Sequence, residues 1–350
     1  MSSTSNLRSG DLGRSTSLPI VTLLLGSIAI AMPPCENGPV SKEAAAFAAE
    51  CSRRGAEGSG PAVAGKEGWL FFRGDLHHLG AGPYSGPGKE ATDPLPAIVD
   101  FAEGLRRAGI ELLIVPIPSK PSLFPEMLGI ARPSSGRLDL EDERFACLLA
   151  QRGVQVVDPF TLLAADPGKM FLRTDAHYSG LACQAIGKLV ADEIKKRAWV
   201  AAVARTPLAS EERTIEIEGD LARAATPGAK EKVPLRVVGK RGPAGIEPVA
   251  PDAASPVVLL GDSHALVFHS GGDLFATGAG LADQLALELG FPVDLMATRG
   301  SASTKVRVDF YRKAKEPGYL AGKKIVVWCF AAREFTEGDG WRKVPVAAAP

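Results

Sequence analysis

The stretch VVLLGDSH, residues 257–264, decides how this chain is read. Val257 to Leu260 are apolar without interruption, the pattern of a strand covered on both faces. Gly261 ends the run, Asp262 and Ser263 follow, and ALVF (265–268) reads as the apolar start of a helix. A serine on a strand-to-helix turn stands at the C-terminal edge of a sheet. Open α/β sheets bind ligands there, and a helix N-terminus offers N–H groups to an oxyanion. Ser263 thus has the placement of a nucleophile. The same letters also describe a plain Ser/Asp helix cap.

Working outward, the apolar run recurs. Leu112–Val115, Val154–Val157, Phe291–Leu295 and Ile325–Phe330 have the same character, and helical periodicity precedes or follows each of them over 96–108, 139–151, 180–196, 279–289 and 305–315. Ile186, Leu189, Val190 and Ile194 share one helix face, and Ser179 stands where an N-cap belongs. Five apolar strands alternating with helices predict a three-layer α/β fold with a mostly parallel sheet. GKEGWLFFRGD (65–75) reads as a Gly-punctuated hairpin opening the folded domain, which extends over 65–340. Residues 205–255 break the rhythm. They are polar, rich in Pro and Gly and partly β-like (RTIEIEGDL, VPLRVVGK), an inserted β-rich segment. Residues 32–64 read as a linker and 341–350 as a tail.

The 40 basic and 40 acidic side chains cancel, and no basic stretch is present. Nucleic-acid binding, whose affinity comes from neutralising phosphates, is therefore not expected. Before the linker, Leu18 to Met32 carries no charge over 15 residues. That is short of the roughly 20 a membrane span needs and fits an export signal, with Ala29-Ile30-Ala31 as the small-x-small cleavage pattern. Residues 1–31 are read as a signal peptide or an N-terminal anchor, placing the rest outside the cytoplasm. Of the five cysteines, Cys35 and Cys51 flank a helical stretch and can pair in an oxidising compartment. Cys147, Cys183 and Cys329 sit in apolar surroundings and read as buried thiols.

A serine nucleophile needs an imidazole base, and the base gains from an oriented carboxylate. Thr174-Asp175-Ala176-His177 supplies both. In an extended segment residues i and i+2 point the same way, so Asp175 and His177 can face one cavity. The loop after the fourth strand carries Arg299 and Gly300, candidates for a second oxyanion donor at the same sheet edge. His264 diverges from Ser263 on such a turn and is a poor base; with Asp262 it is a candidate for lining the pocket. This route calls for no cofactor and no metal. D-x-H is also a metal-ligand spacing, and Asp75/His77 and Asp262/His264 repeat it, so a two-metal hydrolase is the competing chemistry. A non-catalytic binding subunit is a third.

The blocks GKEGWLFFRGD, IVPIPSKPSLFPE, TDAHYSGLACQAIG, VVLLGDSH, GLADQLALELGFPVD and VVWCFAAREF, in that order, resemble the AlgX/AlgJ-like SGNH-type O-acetyltransferases from about Gly65 to Phe335. The alginate acetylation proteins are the type members. The resemblance implies a flavodoxin-like SGNH fold in which D-x-H precedes the serine, the reverse of ordinary SGNH esterases. It implies a periplasmic enzyme, free or anchored to the inner membrane, that passes acetyl groups onto an exported polysaccharide. Ser263 is then the nucleophile, His177 the general base and Asp175 its orienting partner. A membrane-bound O-acyltransferase supplies the acetyl group, and an esterase is the within-class alternative. The chain ends soon after the SGNH-like region, which points to the AlgJ branch. His264 stands where these proteins often carry an aromatic or aliphatic residue. The usual Asn of SGNH oxyanion holes has no obvious counterpart, so Arg299 and Gly300 take its place in this reading.

Overall fold

Strand residues with alternating faces and amphipathic helices build the molecule from its middle outward. A computed structural model describes residues 41–133, 137–243 and 245–346. The proposed signal or anchor, Cys35 and residues 347–350 lie outside the described residues. The strands are β1 (Ala62–Ala64), β2 (Leu70–Phe72), β3 (Glu111–Ile117), β4 (Gln155–Val156), β5 (Ala209–Ile217), β6 (Glu231–Gly242), β7 (Gly245–Glu247), β8 (Val257–Gly261), β9 (Asp294–Ala297) and β10 (Ile325–Ala331). The α-helices of eight or more residues are α1 (Lys42–Ala56), α2 (Arg73–Gly80), α3 (Leu95–Arg107), α4 (Leu140–Gln151), α5 (Gly180–Lys195), α6 (Leu281–Leu289) and α7 (Lys305–Ala314).

The central sheet is parallel throughout, in the order β4-β3-β10-β8-β9. Successive side chains on a strand face opposite ways, and here both faces are buried. Leu113, Val115, Leu259, Val327 and Cys329 pack against α1, α5 and α6. Leu112, Ile114, Val258, Leu260, Trp328 and Phe330 pack against α3, α4 and α7. This is the expected three-layer α/β fold. With β8 counted as the first strand, the order from the β9 edge becomes 2-1-3-4-5, that of flavodoxin-like sheets. The chain enters this order at its fourth strand, β3, which explains why D-x-H precedes the serine. Winding reverses between β8 and β10, so a crevice opens at their C-terminal ends.

Several expected boundaries move, each for a local reason. The linker reading is corrected over 41–64: Ser41 caps α1, whose Ala44, Phe47 and Cys51 form one buried stripe, and β1 follows and pairs with β2; residues 32–40 lie outside the described residues. The tail reading is corrected over 341–346, where the Trp341 ring lies 5.6 Å from that of Trp328 and its indole N–H donates to the Glu334 carbonyl. β9 starts later than the expected Phe291, at Asp294, because Pro292 cannot donate to a ladder. No helix starts at ALVF. Ser263–Ala265 is one 3-10 turn, and Phe268 adopts φ 59° in a loop closed by Phe268 N–H to Leu274 O at 2.9 Å. Cys51 is a free thiol, so it does not pair with Cys35, and Cys147 is disulfide-bonded rather than free.

The inserted segment is β-rich, as expected, and its strands pair antiparallel as β5-β6-β7. It docks on α6 through Arg236, whose Nε donates to Gln284 Oε1 at 2.7 Å, and on α5 at Gly180, where a Cβ would lie 2.5 Å from Leu235 Cδ2. Because α1 fills the core, Phe47→Ala should lower unfolding stability by about 3–5 kcal/mol in urea denaturation; an unchanged midpoint would return this segment to the status of linker.

Candidate active site

Ser263 leaves β8 at the reversal point, and the turn that carries it is tied to the neighbouring strand. The Asp262 carboxylate accepts the His264 N–H at 2.8 Å with one oxygen and the Ala331 N–H of β10 at 2.9 Å with the other. Gly261 has no room for a side chain, since a Cβ there would lie 2.5 Å from Ala265 Cβ and 2.9 Å from Cys329 O. Burial would raise the Asp262 pKa, but the His264 ring, the Arg333 charge and the Ala331 N–H hold it well below the ordinary carboxylate range.

Across the crevice, Ser263 Oγ lies 2.8 Å from His177 Nε2, and His177 Nδ1 lies 2.6 Å from Asp175 Oδ1. Asp175 Oδ1 also accepts the His177 main-chain N–H at 2.9 Å, while Oδ2 accepts the Asp220 N–H at 2.7 Å. Two side chains spaced i and i+2 therefore meet through one carboxylate oxygen. With the proton on Nδ1, the Nε2 lone pair accepts the serine O–H. Burial alone would lower the His177 pKa; the hydrogen bond and charge of Asp175, with the charge of Asp220, raise it above the ordinary 6.5. The same contacts hold Asp175 below its ordinary value although burial opposes this. His264 shifts the other way, lowered by burial, with its ring 4.9 Å from that of His177.

The D-x-H loop is gripped by residues that pattern reading did not single out. Lys120, fully buried, donates through Nζ to Leu172 O at 3.0 Å and Asp175 O at 2.8 Å, and burial brings its pKa down to about 8. Asp220 Oδ1 accepts the Ala176 N–H at 2.8 Å. Glu231 accepts the Arg173 N–H at 3.0 Å and the Thr174 N–H at 2.7 Å. A Cβ on Gly219 would lie 2.1 Å from Thr174 O, so only glycine lets this segment approach. Lys120 lay inside the quoted block IVPIPSKPSLFPE and Asp220 inside RTIEIEGDL; neither has a local pattern that distinguishes it from a surface charge.

Other candidates stand elsewhere. Arg299 forks onto Asp273 with two contacts of 2.6 Å on the exposed surface. Gly300 is exposed at φ 91°. Among the described residues neither hydrogen-bonds to Ser263, His177 or Asp175. Of the three D-x-H pairs, Asp175/His177 and Asp262/His264 lie side by side, but Asp75/His77 does not join them: Asp75 meets Arg333 at 3.2 Å, and His77 meets the Gly55 carbonyl at 2.9 Å. Asp175, His177 and Asp220 have donor atoms within 4.8 Å of one another, a spacing that could hold a metal. Both Asp175 oxygens already accept N–H groups and Nε2 faces a hydroxyl, which is the wiring of a proton relay.

A family model described as the SGNH hydrolase-like domain of the acetyltransferase AlgX matches residues 62–332. The chain belongs to this family. Among curated relatives, the probable alginate O-acetylase AlgJ of Pseudomonas aeruginosa is 30% identical over 145 residues, covering 40% of this chain and 34% of that protein. The AlgJ of Pseudomonas putida is 24% identical over 222 residues, 60% of this chain and 56% of that one. The chain thus spans between a third and just over half of the length of these relatives. The O-acetyltransferase domain of Pseudomonas putida AlgJ superposes with a TM-score of 0.59 at 19% identity, over 79% of this chain and 94% of that structure. Pseudomonas aeruginosa AlgX gives 0.56 at 17%, over 77% and 62%. These likenesses establish the SGNH-like fold of the AlgX family members for this chain.

Asp220 acts on the imidazole by charge and on the loop by hydrogen bonding, and the two are separable. Asp220→Asn keeps an oxygen for the Ala176 N–H but removes a negative charge that favours imidazolium. An NMR titration of the His177 ring should then show a lower pKa in Asp220→Asn with thermal stability retained, and a loss of stability in Asp220→Ala. An unmoved ring titration in Asp220→Asn would refute the electrostatic role.

Proposed function

We propose that this protein is a serine-dependent O-acetyltransferase that acetylates an exported, alginate-like polysaccharide through an acetyl-Ser263 intermediate. The observation that carries the reading is the Ser263–His177–Asp175 relay, 2.8 and 2.6 Å per link, at the sheet's reversal point in a member of the AlgX acetyltransferase family. The acceptor class rests on the names of the alginate O-acetylase relatives.

In this mechanism Ser263 Oγ attacks the acetyl carbonyl as His177 Nε2 takes its proton. The carbonyl π pair moves onto oxygen, which the Ser263 N–H meets. Collapse of this adduct expels the donor's alcohol, which takes the proton back from His177. A sugar hydroxyl then attacks acetyl-Ser263, giving its proton to His177, and Ser263 recovers that proton on release. Asp175 holds the imidazole in the tautomer that both half-reactions need. The donor side belongs to a membrane-bound O-acyltransferase, and the site of action is the periplasm. No helix among the described residues is long and apolar enough to cross a membrane.

Incubation with p-nitrophenyl acetate should place an acetyl group on Ser263, detected by intact mass and peptide mapping, and an alginate oligosaccharide should accelerate its removal. Ser263→Ala should give no adduct; an adduct formed at the same rate in that variant would overturn the proposal. Acylation requires neutral His177, whose pKa is raised, so the rate should fall as pH drops through a midpoint above 6.5. A midpoint below 6.5 would contradict the assignment of the base. Asp175→Asn should cost about 10⁴ in acylation rate, the scale found where a triad carboxylate is neutralised.

A further inference from the structure

We propose that Arg333 is the second donor to the acetyl carbonyl oxygen as it becomes an oxyanion, acting with the Ser263 N–H. The inference rests on the acetyl-serine reading and assigns a residue within it.

Position comes first. β8 and β10 are paired neighbours, with Cys329 opposite Gly261. Ser263 stands two residues beyond Gly261, and Arg333 stands two residues beyond Ala331, whose N–H is bonded to Asp262. Both side chains therefore arise on the same rim of the crevice, where the sheet reverses its winding. Burial and partners come second. Arg333 is 9% exposed, with its guanidinium 5.0 Å over the Phe72 ring and one nitrogen 3.2 Å from Asp75 Oδ1. Asp75 is itself held by the Ser119 hydroxyl at 3.4 Å at the end of β3. A guanidinium carries five N–H donors, and this hydrogen bond to Asp75 is the single one it makes among the described residues. Placement and the spare donors point to a ligand oxygen.

The field of the group reaches the reacting atoms. Its charge opposes protonation of both His177 and His264 and stabilises the Asp262 anion. A cation that acts on these three neighbours of Ser263 also acts on negative charge developing at the acyl carbon's oxygen. Held by Asp75 and Phe72, it needs no reorganisation as that charge appears, the condition under which such donors are most effective. Arg299, the earlier candidate, spends its fork on Asp273.

The test is the burst of p-nitrophenolate release from full-length protein with p-nitrophenyl acetate, with acetyl-Ser263 followed by mass. Arg333→Gln should slow acylation by about 10²–10³ with little change in the ester's KM, since a donor used only in the transition state lowers kcat. Arg333→Lys, which keeps charge without the fork, should fall between the two. If Arg333→Gln is destabilised by leaving Asp75 buried and unpaired, the double variant Asp75→Asn/Arg333→Gln removes both charges and should show the same loss with a wild-type melting temperature. An unchanged burst in either folded variant overturns the assignment. So does normal acylation with a raised KM for the oligosaccharide alone, which would make Arg333 an acceptor contact. Wild-type protein that forms no acetyl-Ser263 overturns the acetyl-serine reading itself, and this inference with it.

Discussion

A buried carboxylate has to be met by donors, and around Asp175 that requirement organises much of the molecule. Its two oxygens accept the His177 ring, the His177 main-chain N–H and the Asp220 N–H. An unpaired charge at this depth would shift its pKa and neutralise; the donors instead keep it ionised and fix the imidazole beside it. The main chain of the same loop is clamped from below by Lys120, a buried ammonium lying 5.7 Å from the Trp69 ring centroid and 5.5 Å from that of Phe71. Burial of Lys120 is tolerated because it donates to two main-chain carbonyls and lies in the field of Asp175 and Asp75. The relay is therefore anchored at the carboxylate and aimed at the hydroxyl.

Two imidazoles lie side by side above this anchor and titrate in opposite directions. His177 faces two carboxylates, Asp175 and Asp220, and its pKa rises. His264 is buried against Tyr178 and has a single carboxylate, Asp262, whose charge is shared with the Ala331 N–H and balanced by Arg333. Its pKa falls. Environments that push neighbouring groups apart assign their roles. His177 Nε2 faces Ser263 Oγ, and His264 packs between His177 and Tyr178. Its ring lies 4.9 Å from that of His177, a contact that its adjacency to Ser263 alone would not suggest.

The parts of this arrangement that were legible in sequence are those set by short-range pattern. Unbroken apolar runs marked β3, β8 and β10, because strands buried on both faces cannot alternate. Ser179 was recognisable as a cap, and it does accept the Ala182 N–H at 3.3 Å. ALVF misled because apolar content does not specify a helix: Val267 and Phe268 are buried, but in a bent loop closed by hydrogen bonds from the far side. Linker and tail misled for a related reason. Small residues in α1 hide a three-position core stripe, and Trp341 finds its aromatic neighbours only once β10 is in place. Lys120, Asp220 and Glu231 had no local signature, since their partners lie 44 to 58 residues away in the chain.

That distance has a consequence for how the site depends on the whole. The D-x-H loop is held by β2, through Leu70 N–H to Arg173 O at 2.9 Å, by Lys120 beyond β3, by the Gly219–Asp220 corner after β5 and by Glu231 at the start of β6. All four supports come from outside the β4–α5 segment that contains the loop. Two of them belong to the inserted unit, which is polar, rich in turns and easily taken for decoration. Ser263 is positioned by its own strand and its neighbour, so the placement of its hydroxyl is a property of the central sheet. The placement of the His177 imidazole depends on the insertion, the N-terminal hairpin and Lys120. Serine and histidine are thus brought to 2.8 Å by two structurally separate supports. Loosening the insertion would release His177 while leaving the sheet and Ser263 in place.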